Sequence, residues 1–133
     1  MGKRSTSRRI AMQALYQAET SGVTIEEALE YIFENEKFIE ETKQFARHLA
    51  TSAWEDKDES DRIISRLTIG WPLERLSKVD HSILRLALYE IRSGQTPASV
   101  VVDEAVELAK KYSSEEAAKF INGLLGSYLR ENQ

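Results

Sequence analysis

The 133-residue sequence contains no cysteine and only two prolines. The absence of cysteine excludes a disulfide framework, a thiolate zinc site and a cysteine nucleophile. No stretch approaches the roughly 18 consecutive apolar residues that a bilayer-spanning helix needs. The N-terminal stretch MGKRSTSRRIAMQALY is basic, but it lacks the apolar block and small-residue cleavage site of a secretory signal. We therefore expect a soluble, cytoplasmic protein.

Sequence motifs for catalysis and cofactor binding are missing as well. The two histidines, His48 and His81, lie in different predicted helices, without an HExxH pair or a cysteine cluster nearby. There is no GxxxxGK[ST] loop, no GxGxxG turn and no GxSxG elbow. We therefore expect no catalytic centre, no metal and no cofactor, and a protein that works by binding.

Charge is divided unevenly along the chain, whose net charge is −4 from 18 basic and 22 acidic residues. Residues 1–9 contain four of the basic residues and no acidic one, which leaves the remainder with 14 basic and 22 acidic residues, a balance of −8. A basic end on an acidic body predicts one surface for a polyanion and another for a different partner. The alternative is a solvated, disordered N-terminal tail.

Helical periodicity runs through almost the whole sequence, without sustained strand alternation. We expect the first helix to begin near residues 5–7, where serine hydroxyls can cap it, and to stop at Gly22. Thr24 and Glu27 form a capping box that opens a second helix. Further helices are predicted from about 38 to 54, 60 to 69, 77 to 92, 99 to 111 and 113 onward, the last three capped by Ser77, Ser99 and Ser113.

Gly70-Trp71-Pro72 interrupts this pattern, because proline lacks an amide hydrogen and restricts the residue before it. We expect a seam there between an N-terminal bundle of about residues 1–70 and a C-terminal bundle of about residues 71–133. Residues 77–92 are apolar nearly all round, which is typical of a central, buried helix. The sequence therefore predicts a single all-α domain, residues 1–133, with about seven helices in two small bundles that share one core.

Four polar side chains of the first helix suggest a ligand. Arg9, Gln13, Tyr16 and Gln17 recur at three- and four-residue intervals, so they can share one surface opposite the apolar stripe. Arginine can hold phosphates, glutamine can bond base edges, and an aromatic ring can stack on a base. This combination suits single-stranded RNA. The alternative is that Tyr16 completes the core and the arginines are ordinary surface charges.

Four ordered blocks of sequence resemble the NusB family of bacterial transcription antitermination factors. They are AMQALYQ (11–17), VDHSILRLALYEI (79–91), TPASVVVDEAVELAKKY (96–112) and KFINGLL (119–125). The blocks cover 44 of the 133 residues, and residues 18–70 carry no recognisable signature. The resemblance implies a fold of two small three-helix bundles built around a central helix.

The resemblance also implies a function. Family members bind single-stranded boxA-type RNA in ribosomal RNA leaders and pair with a small-subunit ribosomal protein, called NusE in this setting. With other Nus factors they join RNA polymerase and keep it from terminating early. Some members self-associate through a surface that overlaps the RNA-binding face, so a homodimer is also possible. The alternatives are a helical protein–protein interaction adaptor without direct RNA binding, and, ranked last, the helical part of a ribosomal RNA methyltransferase.

The same resemblance assigns site residues. Lys3, Arg4, Arg8 and Arg9 are expected to contact phosphates, and Gln13 and Tyr16 to contact bases. The rest of the RNA-binding face is expected to comprise Glu74, Arg85, Lys119, Phe120 and Asn122.

An acidic surface would attract a basic ribosomal protein. We expect that protein-partner interface at Asp80, Tyr89 and Glu90. Core packing is the alternative role for Phe120, and a solubilising surface is the alternative role for the three interface residues.

Overall fold

The computed structural model describes residues 2–70 and 72–132, which form helices and connecting turns without any strand. Seven α-helices occur in this part of the chain, and a short 3-10 helix, Leu73–Arg75, joins the fourth to the fifth. None of them is both long and apolar enough to cross a membrane. The α-helices are α1 (Lys3–Ser21), α2 (Ile25–Asn35), α3 (Glu40–Glu55), α4 (Lys57–Leu67), α5 (Lys78–Ser93), α6 (Ala98–Tyr112) and α7 (Glu115–Glu131).

Helix α5 lies at the centre of the fold. Every residue from 81 to 88 is buried, because α5 packs against α1, α3, α4, α6 and α7. Leu84 and Leu88 are completely buried, as are Leu15 of α1 and Leu125 of α7. A single core therefore runs through both halves of the protein, as the all-round apolar pattern of α5 predicted.

Helix α4 packs with the C-terminal helices. Only Asp56 separates it from α3, yet its main neighbours are α5 and α7. The sequence pattern put the seam between the halves at Gly70-Trp71-Pro72, whereas the packing puts the change of partners near Asp56. Trp71 itself lies outside the described residues. Helix α4 ends at Leu67, before this tripeptide, and the end of a helix need not coincide with a change of packing partner.

Several predicted helix ends are confirmed. The capping box of α2 is complete, since the Glu27 amide donates to Thr24 Oγ1 (3.0 Å) and the Thr24 amide donates to Glu27 Oε1 (2.9 Å). The hydroxyl of Ser77 accepts from the amide of Asp80 at 3.1 Å. Gly22 ends α1 with a φ of 73°, a left-handed conformation that glycine adopts without a steric penalty.

Three other helix starts were predicted wrongly. Helix α1 begins at Lys3 with no side-chain cap, and α6 begins at Ala98 after Pro97, so Ser99 lies inside the helix. Helix α7 is capped by Ser114 instead of its neighbour Ser113. A hydroxyl near a helix start can serve other partners, and that of Ser7 donates to the carbonyls of Lys3 and Thr42.

A charged cluster joins α1, α4 and α5 beneath the surface. Arg85 donates to both carboxylate oxygens of Asp61 (3.0 and 2.8 Å) and to Glu19 Oε1 (2.6 Å). His81 Nε2 lies 2.6 Å from Asp61 Oδ1. Burial by itself raises the pKa of the Asp61 carboxyl, but its hydrogen bonds with His81 and Arg85 outweigh burial and lower the pKa to about 2. Asp61 therefore stabilises the fold in its charged form.

This cluster makes stability depend on pH in acid. The Asp61 carboxyl has its ordinary pKa of 3.8 in the unfolded chain and about 2 in the folded chain. Its contribution of about 2 kcal/mol is therefore complete above pH ~4 and is lost as the pH falls toward 2. We expect Asp61→Asn to lower the free energy of unfolding at pH 6 and to remove this part of the acid dependence, measured by urea unfolding. Asp58→Asn, on the exposed side of α4, is the control, and parallel pH profiles for wild type and Asp61→Asn would contradict the assignment.

Candidate nucleic-acid interface

One face of α1 presents three of the side chains predicted to bind RNA. Tyr16 is 40% exposed, and Gln13 and Arg9 are partly exposed. Arg9 Nη1 lies 3.4 Å from Gln13 Oε1, and Arg9 Nη2 lies 3.3 Å from Glu36 Oε2. The Arg9 guanidinium also lies over the ring of Phe38, 5.6 Å from its centroid. The face therefore offers an aromatic ring, an amide and a positioned cation in one row, and Tyr16 is not part of the core.

Two further cations lie at the start of α1. The Nζ atom of Lys3 lies 3.1 Å from Oε1 of Glu41, and both side chains are largely exposed. The guanidinium of Arg4 lies over the ring of Phe45, 3.7 Å from its centroid. An exposed ion pair such as that between Lys3 and Glu41 contributes about 0–1 kcal/mol to the free energy of unfolding. A phosphate can therefore take the place of the Glu41 carboxylate at little energetic cost.

Arg8 points the opposite way, into the protein, and is only 4% exposed. Its Nε and Nη2 atoms donate to the two carboxylate oxygens of Glu90 at 2.8 and 2.9 Å, and Nη1 donates to Glu104 at 3.3 Å. Burial by itself lowers the pKa of the Arg8 guanidinium, but its hydrogen bond with Glu90 raises the pKa above the ordinary value. Neither Arg8 as a phosphate contact nor Glu90 as a partner contact is accessible in this arrangement. The pair instead joins α1 to α5 and α6.

Arg85 is likewise inside the protein, at 5% exposure, where it belongs to the Asp61 cluster. It was expected on the RNA-binding face because its sequence block resembles that of RNA-binding relatives. Its guanidinium is instead occupied by carboxylates from α1 and α4. Glu74, in the 3-10 helix, is exposed as that expectation requires.

A hollow of about 290 Å³ lies where the 3-10 helix meets the start of α5 and the start of α7. Phe120, which is 38% exposed, lines it together with Asp80 and Arg75. The Oδ1 atom of Asp80 is buried and accepts no hydrogen bond from the described residues. The exposed ring of Phe120 suits stacking on a nucleobase, whereas this buried oxygen is not open to one.

The structure therefore places Asp80 beside Phe120, and not on a surface shared with Tyr89 and Glu90. Asp80 is in the first turn of α5, whereas Tyr89 and Glu90 are in its last turns. The ring of Tyr89 packs edge-on against His48, with centroids 6.5 Å apart. It lines a separate hollow of about 370 Å³ beside Phe45. Asp80 thus lies apart from Tyr89 and Glu90, which line the same hollow.

Lys119 and Asn122 are exposed on α7 and line a shallow hollow of about 520 Å³ between α6 and α7. Lys119 has no carboxylate partner among the described residues. Lys110 of α6 lines the same hollow. Lys110 was not among the residues predicted from the sequence, because the helix dipole readily explains basic residues in the last turn of a helix.

Together, these side chains form a surface suited to binding. Within residues 2–70 and 72–132, no three histidine, aspartate or glutamate side chains are grouped to hold a metal ion. The fold and the site define a helical bundle protein with exposed aromatic, amide and basic side chains on α1 and α7. The NusB family model matches residues 5–130, and the chain belongs to the NusB family.

Known proteins support this classification. The transcription antitermination protein NusB of Symbiobacterium thermophilum is 41% identical over 136 residues, which cover 96% of this chain and 89% of the relative. A chain in the crystal structure of antitermination factors NusB and NusE in complex with dsRNA superposes with a TM-score of 0.87 at 29% identity, covering 96% of both chains. A chain in the crystal structure of a plectonemic RNA supercoil superposes with a TM-score of 0.93 at 28% identity, covering 99% of this chain and 97% of that one. The family and the all-α fold expected from the sequence are confirmed.

Two adjacent arginines are expected to behave differently on substitution. Arg8→Ala leaves Glu90 buried without its main partner, and we expect a loss of about 3–5 kcal/mol in the free energy of unfolding. Arg9→Ala breaks a weak, partly exposed pair and is expected to cost about 1 kcal/mol or less. Urea unfolding at neutral pH measures both. Equal losses for the two variants would contradict the structural role of Arg8. The double variant Arg8→Met/Glu90→Leu is expected to be more stable than Arg8→Ala, because it leaves no unpaired buried charge.

Proposed function

We propose that this protein is an RNA-binding transcription antitermination factor without catalytic activity. Its RNA is a single strand of the boxA type, held by α1 and α7. The observation that carries the proposal is the exposure of Tyr16 on the same face as Arg9 and Gln13. Membership of the NusB family and the likeness to a chain solved with NusE and dsRNA support the RNA-binding part of this proposal.

In the proposed complex, the contacts divide by chemistry. Lys3, Arg4, Arg9 and Lys119 neutralise phosphates, since these cations are exposed or held only by weak surface pairs. Tyr16 and Phe120 stack on bases, because each ring is more than a third exposed. Base edges bond to the side chains of Gln13, Asn122 and Glu74.

Arg8 and Arg85 have a different role in this proposal. Both guanidinium groups are buried and bonded to carboxylates, so they position α1 and α5 without touching the strand. In this proposal, the buried ion pairs fix the positions of the helices that form the RNA-binding face, and the exposed cations contact the RNA.

A second partner completes the proposed function. We infer that a small-subunit ribosomal protein acting as NusE binds to the same molecule, since the chain beyond residue 9 carries a balance of −8 and ribosomal proteins are basic. The RNA contact and the protein contact then reinforce each other through linkage. The assembly joins other Nus factors on RNA polymerase and promotes read-through of terminators, notably in ribosomal RNA operons.

Replacing the exposed ring of α1 tests the RNA contact. Tyr16→Leu removes a stacking platform, and we expect RNA affinity to fall by about 1–3 kcal/mol, the range for one base stacked on an aromatic side chain. Fluorescence anisotropy with a labelled boxA-type strand measures the loss. Tyr16→Phe keeps the ring and is expected to bind nearly as tightly as wild type.

Tyr31→Leu is the matched control for this substitution. Tyr31 is 59% exposed on α2, outside the proposed face, so the same chemical change there is expected to leave RNA affinity unaltered. If Tyr16→Leu and Tyr31→Leu bind equally well, the α1 face does not hold the strand. Binding of a scrambled strand as tight as that of the boxA-type strand would remove the proposed sequence preference.

Linkage between the two partners is tested by titrating RNA with and without the ribosomal protein. Since coupling between sites is typically 1–3 kcal/mol, we expect RNA affinity to rise by about 5- to 150-fold when the ribosomal protein is saturating. The reciprocal titration must give the same factor. Identical RNA affinity in both conditions would exclude the cooperative mechanism while leaving direct RNA binding in place.

A further inference from the structure

A groove separates the first turns of α1 from the end of α6, and Arg9 is the one residue of its lining that the proposed contacts already include. Its volume is about 330 Å³, within the roughly 300–1,000 Å³ of ordinary ligand sites. Leu108 and the partly buried ring of Tyr112 line it on the α6 side, and Ser5 and Thr6 line it on the α1 side. It therefore combines a flat apolar wall with hydroxyl groups, a combination that suits a nucleobase and its ribose.

Positive charge surrounds this groove. Arg9, Lys110 and Lys111 all line it. Lys111 Nζ lies 5.7 Å from the centroid of the Tyr112 ring, and Lys111 has no carboxylate partner among the described residues. The pair between Lys110 and Glu107 is long, at 3.9 Å, and exposed. An incoming phosphate therefore meets cations that are weakly held.

The carboxylates of the groove cancel only part of this charge. Glu104 accepts from the buried guanidinium of Arg8 at 3.3 Å and from the hydroxyl of Ser5 at 2.5 Å. Since Arg8 also holds Glu90, its one positive charge is shared by two carboxylates. Glu107 has only its long pair with Lys110. Three cations and two carboxylates line the groove, so its lining carries a formal charge of +1.

The groove is also continuous with both parts of the candidate interface. Arg9 belongs to it and to the exposed face of α1. Lys110 and Glu107 belong to it and to the hollow that Lys119 and Asn122 line. A strand held by the candidate interface can therefore continue into this groove with nucleotides beyond those that α1 and α7 contact.

From these observations we propose that the groove between α1 and α6 binds one further nucleotide of the same RNA strand. Its base lies against Tyr112 and Leu108, and its phosphate lies between Arg9 and Lys111. This inference rests on the proposed RNA-binding function and adds a binding site to it. A simpler explanation of the two lysines is that they offset the dipole at the end of α6, but it does not account for the apolar groove beside them.

The test compares two labelled RNAs, a boxA-type core strand and the same strand extended by three nucleotides at each end. We expect wild type to bind the extended strand about five- to a hundredfold more tightly, as one more stacked base provides. Lys111→Gln and Tyr112→Leu are expected to reduce this preference strongly and to leave the affinity for the core strand unchanged. The log–log salt slope for the extended strand is expected to change by about 0.7 in Lys111→Gln, since one phosphate contact is lost.

Matched variants keep the test decisive. Tyr112→Phe retains the ring and is expected to keep the preference, which separates stacking from loss of folding. Arg62→Gln removes an exposed cation from α4 and is expected to change nothing. A dipole role would show as lower stability of Lys111→Gln with its preference for the extended strand intact, and that result would overturn the groove site.

If wild type binds neither RNA, the proposed function itself fails and the groove site fails with it. If wild type binds both RNAs equally, only the groove site fails.

Discussion

The rotation of α1 is fixed by its buried apolar residues, among them Ile10 and Leu15, together with the fork of hydrogen bonds between Arg8 and Glu90. Successive residues of an α-helix are turned by about 100°, so a guanidinium fixed beneath α1 sends Arg9 toward the surface. Tyr16, seven residues after Arg9, then lies on nearly the same side of the helix and is 40% exposed. Burying two charges costs almost as much as their attraction returns. The value of the pair therefore lies in the orientation that it imposes more than in net stability.

Local patterns carried much of the fold prediction. The central position of α5 followed from apolar residues all round one helix, and the α2 capping box followed from Thr24 and Glu27 three residues apart. The same spacing separates Arg8 from Arg9, because Arg8 precedes the buried Ala11 and Leu15 by three and seven residues. The partner of Arg8 could not be predicted in this way, since the carboxylate that holds it is 82 residues away. Only the packing of α1 against α5 brings the two together.

The candidate site also has one part that helical spacing predicts and one part that only the packing of helices produces. Its α1 part was predictable, because Arg9, Gln13 and Tyr16 share one helix and regular spacing puts them on one face. Its α7 part was predicted by resemblance alone, and Asp80 was assigned to another surface. The hollow that brings Asp80 beside Phe120 arises where α5 meets α7. No spacing within either helix indicates that these two side chains face each other.

The surface charges suggest why such a site would need a second partner. Lys3 and Arg9 are already paired with Glu41 and Glu36, so each phosphate contact replaces an existing ion pair and the net electrostatic gain is small. The acidic body repels a polyanion away from the N-terminal end. Most of the binding free energy must then come from stacked bases, each of which provides about 1–3 kcal/mol. Few aromatic rings are exposed on this face. A partner that contacts the same strand would add the binding free energy that these rings do not provide.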